Sequence, residues 1–357
     1  MYARVMQESA PTPVVKGMPV AGTWKHSFEY VNLLDISRPF AKPLPKAVKD
    51  SRIKEWQNFL VQDERFLLEA TLSNVKFYRW AQVFLYDKES GQKLWYRKIL
   101  PFSGWRMPLT LSNASVDSRS YGIFFRIHNW LDANIVKVDL DIEPTSSRPS
   151  FTAHMEFEID ETKLEPMAVS LLFSEERSMY SYKALAPVRG DMVFGGRHLS
   201  LGGAKTAGLF CDYKGYYPYR MNSTWCNAFG LIAAKEQTDQ KKARRYGFSI
   251  AENQAKETFK NNENALWVEG KLTPLPPVRI TQPNGIQSDW IIQDMEGMID
   301  LVFTPKEPVC NELNLFITNV EYNIPLGYYN GMLVTSEEEH IHVHNLCGLG
   351  QKLYMRV

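Results

Sequence analysis

The most regular feature of the chain is an alternation of apolar and polar side chains with a period of two residues. Segments 151–159 (FTAHMEFEI) and 135–142 (IVKVDLDI) both follow it. Because successive side chains of a strand point to opposite faces of a sheet, this alternation predicts half-buried β-strands. Further strand-like runs are RFLLEATL, RWAQVFLYD, QKLWYRKIL, YGIFFRI, MAVSLLF, DLVFT and LNLFITNV.

Short polar turns separate several of these runs, such as KESG at 88–91 and EPTSSRPS at 143–150. Amphipathic helices are few, although apolar residues recur at helical spacing in segment 51–60 (SRIKEWQNFL) and predict a helix there. The pattern therefore predicts an all-β protein of antiparallel barrels or sandwiches with few short helices.

The number of predicted strands bears on the domain organisation. Roughly twenty short strands exceed one small sandwich, so we expect two β-barrel domains in tandem. The strand pattern is weakest around 185–190 (LAPVRG), which favours a boundary there. The predicted division is an N-terminal arm and first strand over 1–36, a first barrel over 37–187 and a second over 188–357.

Composition excludes several classes of protein. The 357 residues include 41 Lys and Arg against 40 Asp and Glu, and 13% are aromatic. Such a chain is too apolar and too weakly charged for disorder, and its net charge of +1 gives no general attraction to nucleic acid. It lacks a long apolar run and a secretory leader pattern, so we expect no membrane span and a cytoplasmic location.

The cysteines and the missing motifs bear on cofactors. The four cysteines are dispersed and form no C-x-x-C pair, which predicts a reduced protein, with a bridge between Cys211 and Cys226 left open. No dinucleotide-binding or P-loop pattern occurs, so we expect no cofactor. A small-molecule ligand is the expected partner, and the sequence leaves the oligomeric state open.

The densest group of candidate site residues lies in segment 212–225, DYKGYYPYRMNSTW. Tyr and Trp combine an apolar face with a polar tip, which suits the wall of a ligand cavity. An aromatic strand end packed in the core is an equally good interpretation of the composition. The cavity hypothesis makes Asp212 a catalytic acid or base and assigns ligand binding to Tyr213, Tyr217, Tyr219, Arg220 and Trp225.

A second candidate is segment 261–267, NNENALW. Here Glu263 would be a general acid or base, with Asn262, Asn264 and Trp267 as ligand-binding residues. By itself the segment is more typical of a polar turn whose Asn side chains bond their own backbone.

Two further features are interpreted as surface structure. His340, His342 and His344 alternate with apolar residues, which predicts that the histidines face solvent and hold no native metal. The segment 235–245, KEQTDQKKARR, is interpreted as a solvated loop, with a patch for an anionic partner as the alternative.

Taken together, four blocks resemble the bacterial family named domain of unknown function 2804. They are VNLLDISRPF with RIKEWQNFLV, FCDYKGYYPYRMNSTWCNAFG, FSIAENQAKETFKNNENALWVEGKLTPLPPV and GYYNGMLVTSEEEHIHVHNLCGLGQ, and they span the chain from about Asn32 to Arg356. The family often has Trp at the position of Tyr213 and an aromatic residue at Cys226 or Asn227, so this chain lacks that second aromatic side chain.

The resemblance implies a two-barrel lipocalin-like fold, similar to that of carotenoid hydratases and tocopherol cyclase. In those proteins carboxylate and aromatic side chains add water to a double bond or close a ring. Applied to this chain, it favours a cofactor-free enzyme that performs acid–base chemistry, of hydratase, lyase, cyclase or hydrolase type, in an aromatic-lined cavity. The alternatives are a lipocalin-like protein that only binds an apolar or amphipathic molecule, and a structural protein whose aromatic residues are all core.

Overall fold

The structure is a computed structural model, and it describes residues 2–76, 79–100, 104–120, 122–203, 206–232, 243–307, 310–315 and 318–356. In this part of the chain the helical elements are α1 (Lys46–Arg52) and two short 3-10 turns, Leu33–Asp35 and Leu131–Ala133. The strands, in chain order, are β1 (Val14–Val15), β2 (Met18–Pro19), β3 (Gly22–Trp24), β4 (Lys54–Gln62), β5 (Phe66–Asn74), β6 (Arg79–Asp87), β7 (Lys93–Ile99), β8 (Ala114–Ser120), β9 (Ile123–Trp130), β10 (Ile135–Ile142), β11 (Phe151–Glu158), β12 (Met167–Leu172), β13 (Ser178–Phe194), β14 (Arg197–Leu201), β15 (Ala207–Gly215), β16 (Arg220–Ile232), β17 (Arg244–Glu252), β18 (Ala265–Val268), β19 (Lys271–Pro274), β20 (Val278–Thr281), β21 (Trp290–Asp294), β22 (Ile299–Glu307), β23 (Cys310–Leu315), β24 (Thr318–Asn323), β25 (Leu326–Val334) and β26 (His340–Arg356).

Almost all of these strands belong to two large antiparallel sheets. The first has the order β7-β6-β5-β4-β15-β13-β11-β10-β9-β8. The second has the order β19-β18-β17-β16-β26-β25-β22-β21-β20. Both sheets curl into half-barrels, so the predicted all-β fold with two antiparallel barrel-like sheets and few short helices is confirmed.

The chain divides into two compact units. The first unit consists of Gln7–Ser170 and Glu176–Tyr216, and the second of Met1–Met6, Leu171–Glu175 and Tyr217–Val357. Strand β13 runs unbroken across positions 187 and 188, where the strand pattern predicted a domain boundary. Long strands of this kind can continue past a weak point in the pattern because their hydrogen bonds to neighbouring strands hold them.

The predicted helix over 51–60 is wrong. Helix α1 ends at Arg52, and the segment that follows forms strand β4, which pairs with β5 and β15. Both faces of β4 bury residues, and a strand buried on both faces loses the clean alternation that identifies strands in a sequence. Apolar residues at Trp56, Phe59 and Leu60 therefore imitate helical spacing.

Each unit has its own hydrophobic core. In the first unit, Phe59, Leu72, Tyr180 and Phe210 lie in this core on one face of the sheet formed by β5, β4, β15 and β13. We call this the inner face of the first unit. The opposite, outer face of the same strands carries residues such as Trp56, and most of its side chains are also buried.

Candidate functional site

A fully buried ion pair lies on the inner face of the first unit. Asp212 and Lys214 are two residues apart on β15, so the alternation of the strand directs both side chains to the same face. Lys214 Nζ is 2.5 Å from Oδ2 and 2.7 Å from Oδ1 of Asp212, and the residues are 1% and 0% exposed. Gln57 Nε2 donates a third hydrogen bond to Asp212, at 3.1 Å.

Two tyrosines of β13 lie directly opposite this ion pair. In the strand register, Tyr180 pairs with Lys214 and Tyr182 with Asp212. The ammonium nitrogen of Lys214 is 5.6 Å from the centre of the Tyr180 ring. Burial, together with the carboxylates of Asp212 and Glu161, raises the pKa of the Tyr180 phenol well above its usual value. Its hydroxyl therefore stays protonated at neutral pH.

The hydroxyl groups of the two tyrosines differ in their partners. Tyr182 Oη donates to Glu161 Oε1 at 2.8 Å, and His26 Nδ1 lies 2.9 Å from the other carboxylate oxygen. The Tyr180 hydroxyl is buried and has no hydrogen-bond partner within the described ranges. A buried hydroxyl without a partner is uncommon in native proteins, so Tyr180 Oη is a group that a ligand or water could satisfy.

A cavity of about 90 Å³ in the first unit has Lys214 of this ion pair in its wall. Its wall includes Lys214, Ile53 and Met107, together with a second charged group formed by Glu55 and Lys76. Lys76 Nζ is 3.1 Å from Glu55 Oε1, which also accepts a hydrogen bond from the backbone N–H of Met107 at 3.2 Å. The cavity therefore combines an apolar wall with fixed charges, as small-molecule sites do.

The outer face carries a different acidic group, Glu69 on β5. This buried carboxyl accepts hydrogen bonds from Asn58 Nδ2 at 2.6 Å and Gln82 Nε2 at 3.2 Å, and from the Thr71 hydroxyl. Burial raises the pKa of Glu69 to about 7, against an ordinary value of 4.5, and the three hydrogen bonds oppose this rise. The carboxyl thus changes charge near neutral pH.

The raised pKa of Glu69 predicts a loss of stability with rising pH. The folded protein holds the proton more tightly than the unfolded chain, so this stabilisation is complete below pH 4.5 and lost as the pH rises through about 7. We expect wild type to lose roughly 2–3 kcal/mol more unfolding free energy than Glu69→Gln between pH 5 and pH 8. Urea denaturation at both values measures this, with Glu296→Gln at an exposed position as control. An equal loss in wild type and Glu69→Gln would contradict it.

The structure separates the predicted residues of segment 212–225. Tyr213 lies on the outer face, where its ring stacks on Trp56 with centres 4.9 Å apart, and so points away from Asp212. Tyr217 belongs to the second unit, is buried and packs against Phe173 at 5.6 Å. Tyr219 is 59% exposed and Arg220 is also exposed, because the chain turns here between β15 and β16.

Segment 261–267 lies entirely in the second unit. Glu263 is buried and accepts a hydrogen bond from Asn253 Nδ2 at 2.8 Å. Asn264 Oδ1 accepts a hydrogen bond from the backbone N–H of Ala251 at 2.7 Å, and Asn264 Nδ2 donates one to the carbonyl of Pro276 at 2.8 Å. Asn262 donates to Tyr2 Oη at 3.2 Å. The amides thus hold backbone segments and the N-terminal residues together, while the catalytic role of Glu263 stays a prediction.

The two tryptophans predicted as cavity walls share one face of the second sheet. The register places Trp225 opposite Ala251 and Trp267 opposite Gly247, on the side of β16–β18 away from the core of that unit. Both indoles are buried. Asp212 and Glu263, the two predicted catalytic carboxylates, belong to different units.

The remaining sequence predictions concern thiols, histidines and the basic segment. Cys211, Cys226 and Cys347 are buried, and no disulfide joins them to one another, so the Cys211–Cys226 bridge is absent. His340, His342 and His344 are exposed while Ile341 and Val343 between them are buried, which confirms the predicted orientation. Most of segment 235–245 lies outside the described residues. Across the described ranges, no group of three His, Cys, Asp or Glu is arranged to hold a metal, and no helix is long and apolar enough to cross a membrane.

The predicted site residues did not include three groups that the structure shows to be buried and chemically distinctive, namely Tyr180, Lys214 and Glu69. The pairing of Asp212 with Lys214 could have been inferred from their spacing on a strand. The positions of Tyr180 and Glu69 depend on which strands are neighbours, and a single sequence does not show this.

Fold and site together define an antiparallel β-protein of two units with charged groups inside its first unit. The chain belongs to the family described as domain of unknown function (DUF2804), whose model matches residues 11–356. Among solved structures, kievitone hydratase from Nectria haematococca is similar, with 12% identity, a TM-score of 0.41 and coverage of 85% of this chain and 87% of that one. No curated protein matches this sequence.

Proposed function

We propose that the protein is a hydratase-type enzyme that performs acid–base chemistry inside the first unit. Its proposed reacting groups are the phenol of Tyr180 and the ammonium of Lys214, and Asp212 holds that ammonium in position. The proposed substrate is a small molecule with a double bond conjugated to a carbonyl group.

One observation carries the proposal: the buried Tyr180 hydroxyl has no partner within the described ranges and lies opposite a buried ion pair. A phenol with a strongly raised pKa donates a hydrogen bond without losing its proton. An ammonium group held by a carboxylate is a fixed positive charge in a region with little water. Donors arranged in this way stabilise the negative charge that develops on a carbonyl oxygen during reaction.

The proposed step is an addition of water. The water oxygen forms a bond to the β-carbon of the conjugated alkene, and the electrons of the double bond move onto the carbonyl oxygen, which Lys214 stabilises. Tyr180 transfers its proton to the α-carbon, and the proton released by the attacking water returns to the phenolate. The net change is one water added across the double bond, and elimination is the reverse.

The size of the cavity favours this function over passive binding. Sites that enclose a drug-sized ligand have volumes of about 300–1,000 Å³. The cavity beside Lys214 is about 90 Å³, which accommodates the reacting end of a molecule rather than a long apolar ligand. Charged groups are also rarely buried in a pocket that only binds apolar molecules.

The proposal is tested with full-length protein and a panel of small α,β-unsaturated ketones and acids in heavy-oxygen water. Mass spectrometry should detect incorporation of one heavy oxygen into the product of at least one compound. Native mass spectrometry of freshly purified protein should first reveal any bound molecule, which then joins the panel.

Asp212→Asn and Tyr180→Phe serve as the site variants, and Tyr246→Phe, a buried tyrosine of the second unit, as the matched control. We expect incorporation to be lost in the site variants and kept in the control. Incorporation that survives in both site variants, or that occurs with no compound of the panel, would refute the proposed function.

A further inference from the structure

Three basic residues lie near one end of the neighbouring central strands β4, β15 and β13 of the first sheet. Arg52 ends α1, Lys54 begins β4, and Arg177 precedes β13. The register brings these chain segments side by side, because Gly215 of β15 pairs with Lys54 on one side and with Met179 on the other. We call Arg52, Lys54 and Arg177 the basic cluster.

The basic cluster lacks a counter-charge in the part of the chain that the structure describes. Lys54 is 7% exposed, and neither it nor the two arginines forms an ion pair there with a carboxylate. Burial, and after it the positive charges of Arg52 and Arg177, lower the pKa of the Lys54 amine to about 8. Like charges gathered without an anion are unfavourable, so an anionic ligand would relieve their repulsion.

Aromatic rings flank the basic cluster. The guanidinium carbon of Arg177 lies 4.6 Å from the centre of the Phe40 ring. Trp56, two residues after Lys54, is on the same outer face and stacks on Tyr213. Residues two apart on a strand are separated by about 7 Å, so flat apolar groups border the positive charges.

From this arrangement we propose that the basic cluster binds the carboxylate of a small aromatic acid, with the ring of the acid against the neighbouring aromatic side chains. Guanidinium groups match the planar geometry of a carboxylate, and Lys54 adds a buried donor without a competing partner in the described residues. Arg52 is exposed, so the site is open to solvent at one side. The site is independent of the inner-face cavity, since Lys54 and Asp212 point to opposite faces of the sheet.

The test is the reactivity of Lys54 toward acetic anhydride at pH 8, measured by peptide mass spectrometry on the full-length protein. Sodium benzoate is the probe, compared with inorganic phosphate and chloride at equal ionic strength. A bound carboxylate raises the pKa of the amine, and a rise of about one unit at pH 8 lowers the reactive fraction about fivefold. We expect benzoate to protect Lys54 about fivefold while the exposed Lys271 keeps its reactivity.

Variants decide whether the cluster itself binds the anion. Arg52→Gln changes an exposed residue and should reduce the protection by benzoate to less than twofold, and Arg177→Gln should do the same. Protection of Lys54 that is absent in wild type, or that persists unchanged in both variants, would overturn the proposal. Equal protection by phosphate would overturn the assignment to an aromatic carboxylate.

Discussion

Tyr180→Phe is expected to lower the rate of water addition by about a hundredfold or more, because it removes a hydrogen-bond donor placed opposite Lys214. The same change should leave the free energy of unfolding within about 1 kcal/mol of wild type, since the hydroxyl has no partner among the described residues to lose. Steady-state kinetics with the substrate found in heavy-oxygen water, and urea denaturation, measure the two effects.

A large loss of rate with little change in the free energy of unfolding would show that the Tyr180 hydroxyl acts in the reaction and not in folding. Tyr182→Phe is the informative comparison, because that hydroxyl donates to Glu161 and its removal leaves a carboxylate with one donor fewer. We expect Tyr182→Phe to lose more stability than Tyr180→Phe. A Tyr180→Phe protein with full activity would show that the phenol takes no part in the reaction.

Lys214→Met is expected to reduce the free energy of unfolding by about 3–5 kcal/mol, because it leaves the buried Asp212 carboxylate without its counter-charge. Gln57 then remains as its hydrogen-bond donor, and one neutral donor does not replace an ammonium group. The double variant Asp212→Asn with Lys214→Met should recover most of this loss, because both charges are gone. Urea denaturation of the three proteins measures the coupling between the two residues.

An exposed ion pair provides the control for this experiment. Lys25 and Glu8 are 2.5 Å apart but largely exposed to solvent. Solvent screens such a pair, so Lys25→Met should leave stability nearly unchanged. A loss for Lys214→Met no larger than that for Lys25→Met would contradict the importance of the buried pair.

Sequence patterns gave good predictions for strands with one buried face. In β10 and β11 the apolar residues alternate strictly, and Val138 and Met155 of these two strands pair in the core as their positions predict. The pattern failed for β4, where both faces are largely buried and the alternation is lost. Hydrophobic periodicity reports how many faces of a strand are covered, and it distinguishes strand from helix only when one face is polar.

The candidate site was less predictable than the fold. Composition singled out Asp212, which the structure places in the interior of the first unit. It also singled out Tyr213, the next residue along, whose side chain points to the opposite face. Crowding of polar aromatic residues in a sequence does not show which of them share a face. Tyr180 and Glu69 acquire their environments from strands distant in the chain, so no local pattern could indicate them.

The discontinuous make-up of the second unit has a consequence for biosynthesis. Arg4 belongs to that unit and donates a hydrogen bond to the carbonyl of Asn264, 260 residues later in the chain. Ribosomes add about 5–20 residues per second, so Asn264 is synthesised on the order of tens of seconds after Arg4. All residues of the first unit are synthesised within that interval. Residues 2–6 are therefore among the last parts to reach their native contacts, and in a nascent chain stalled before Asn264 the Arg4 side chain lacks this partner.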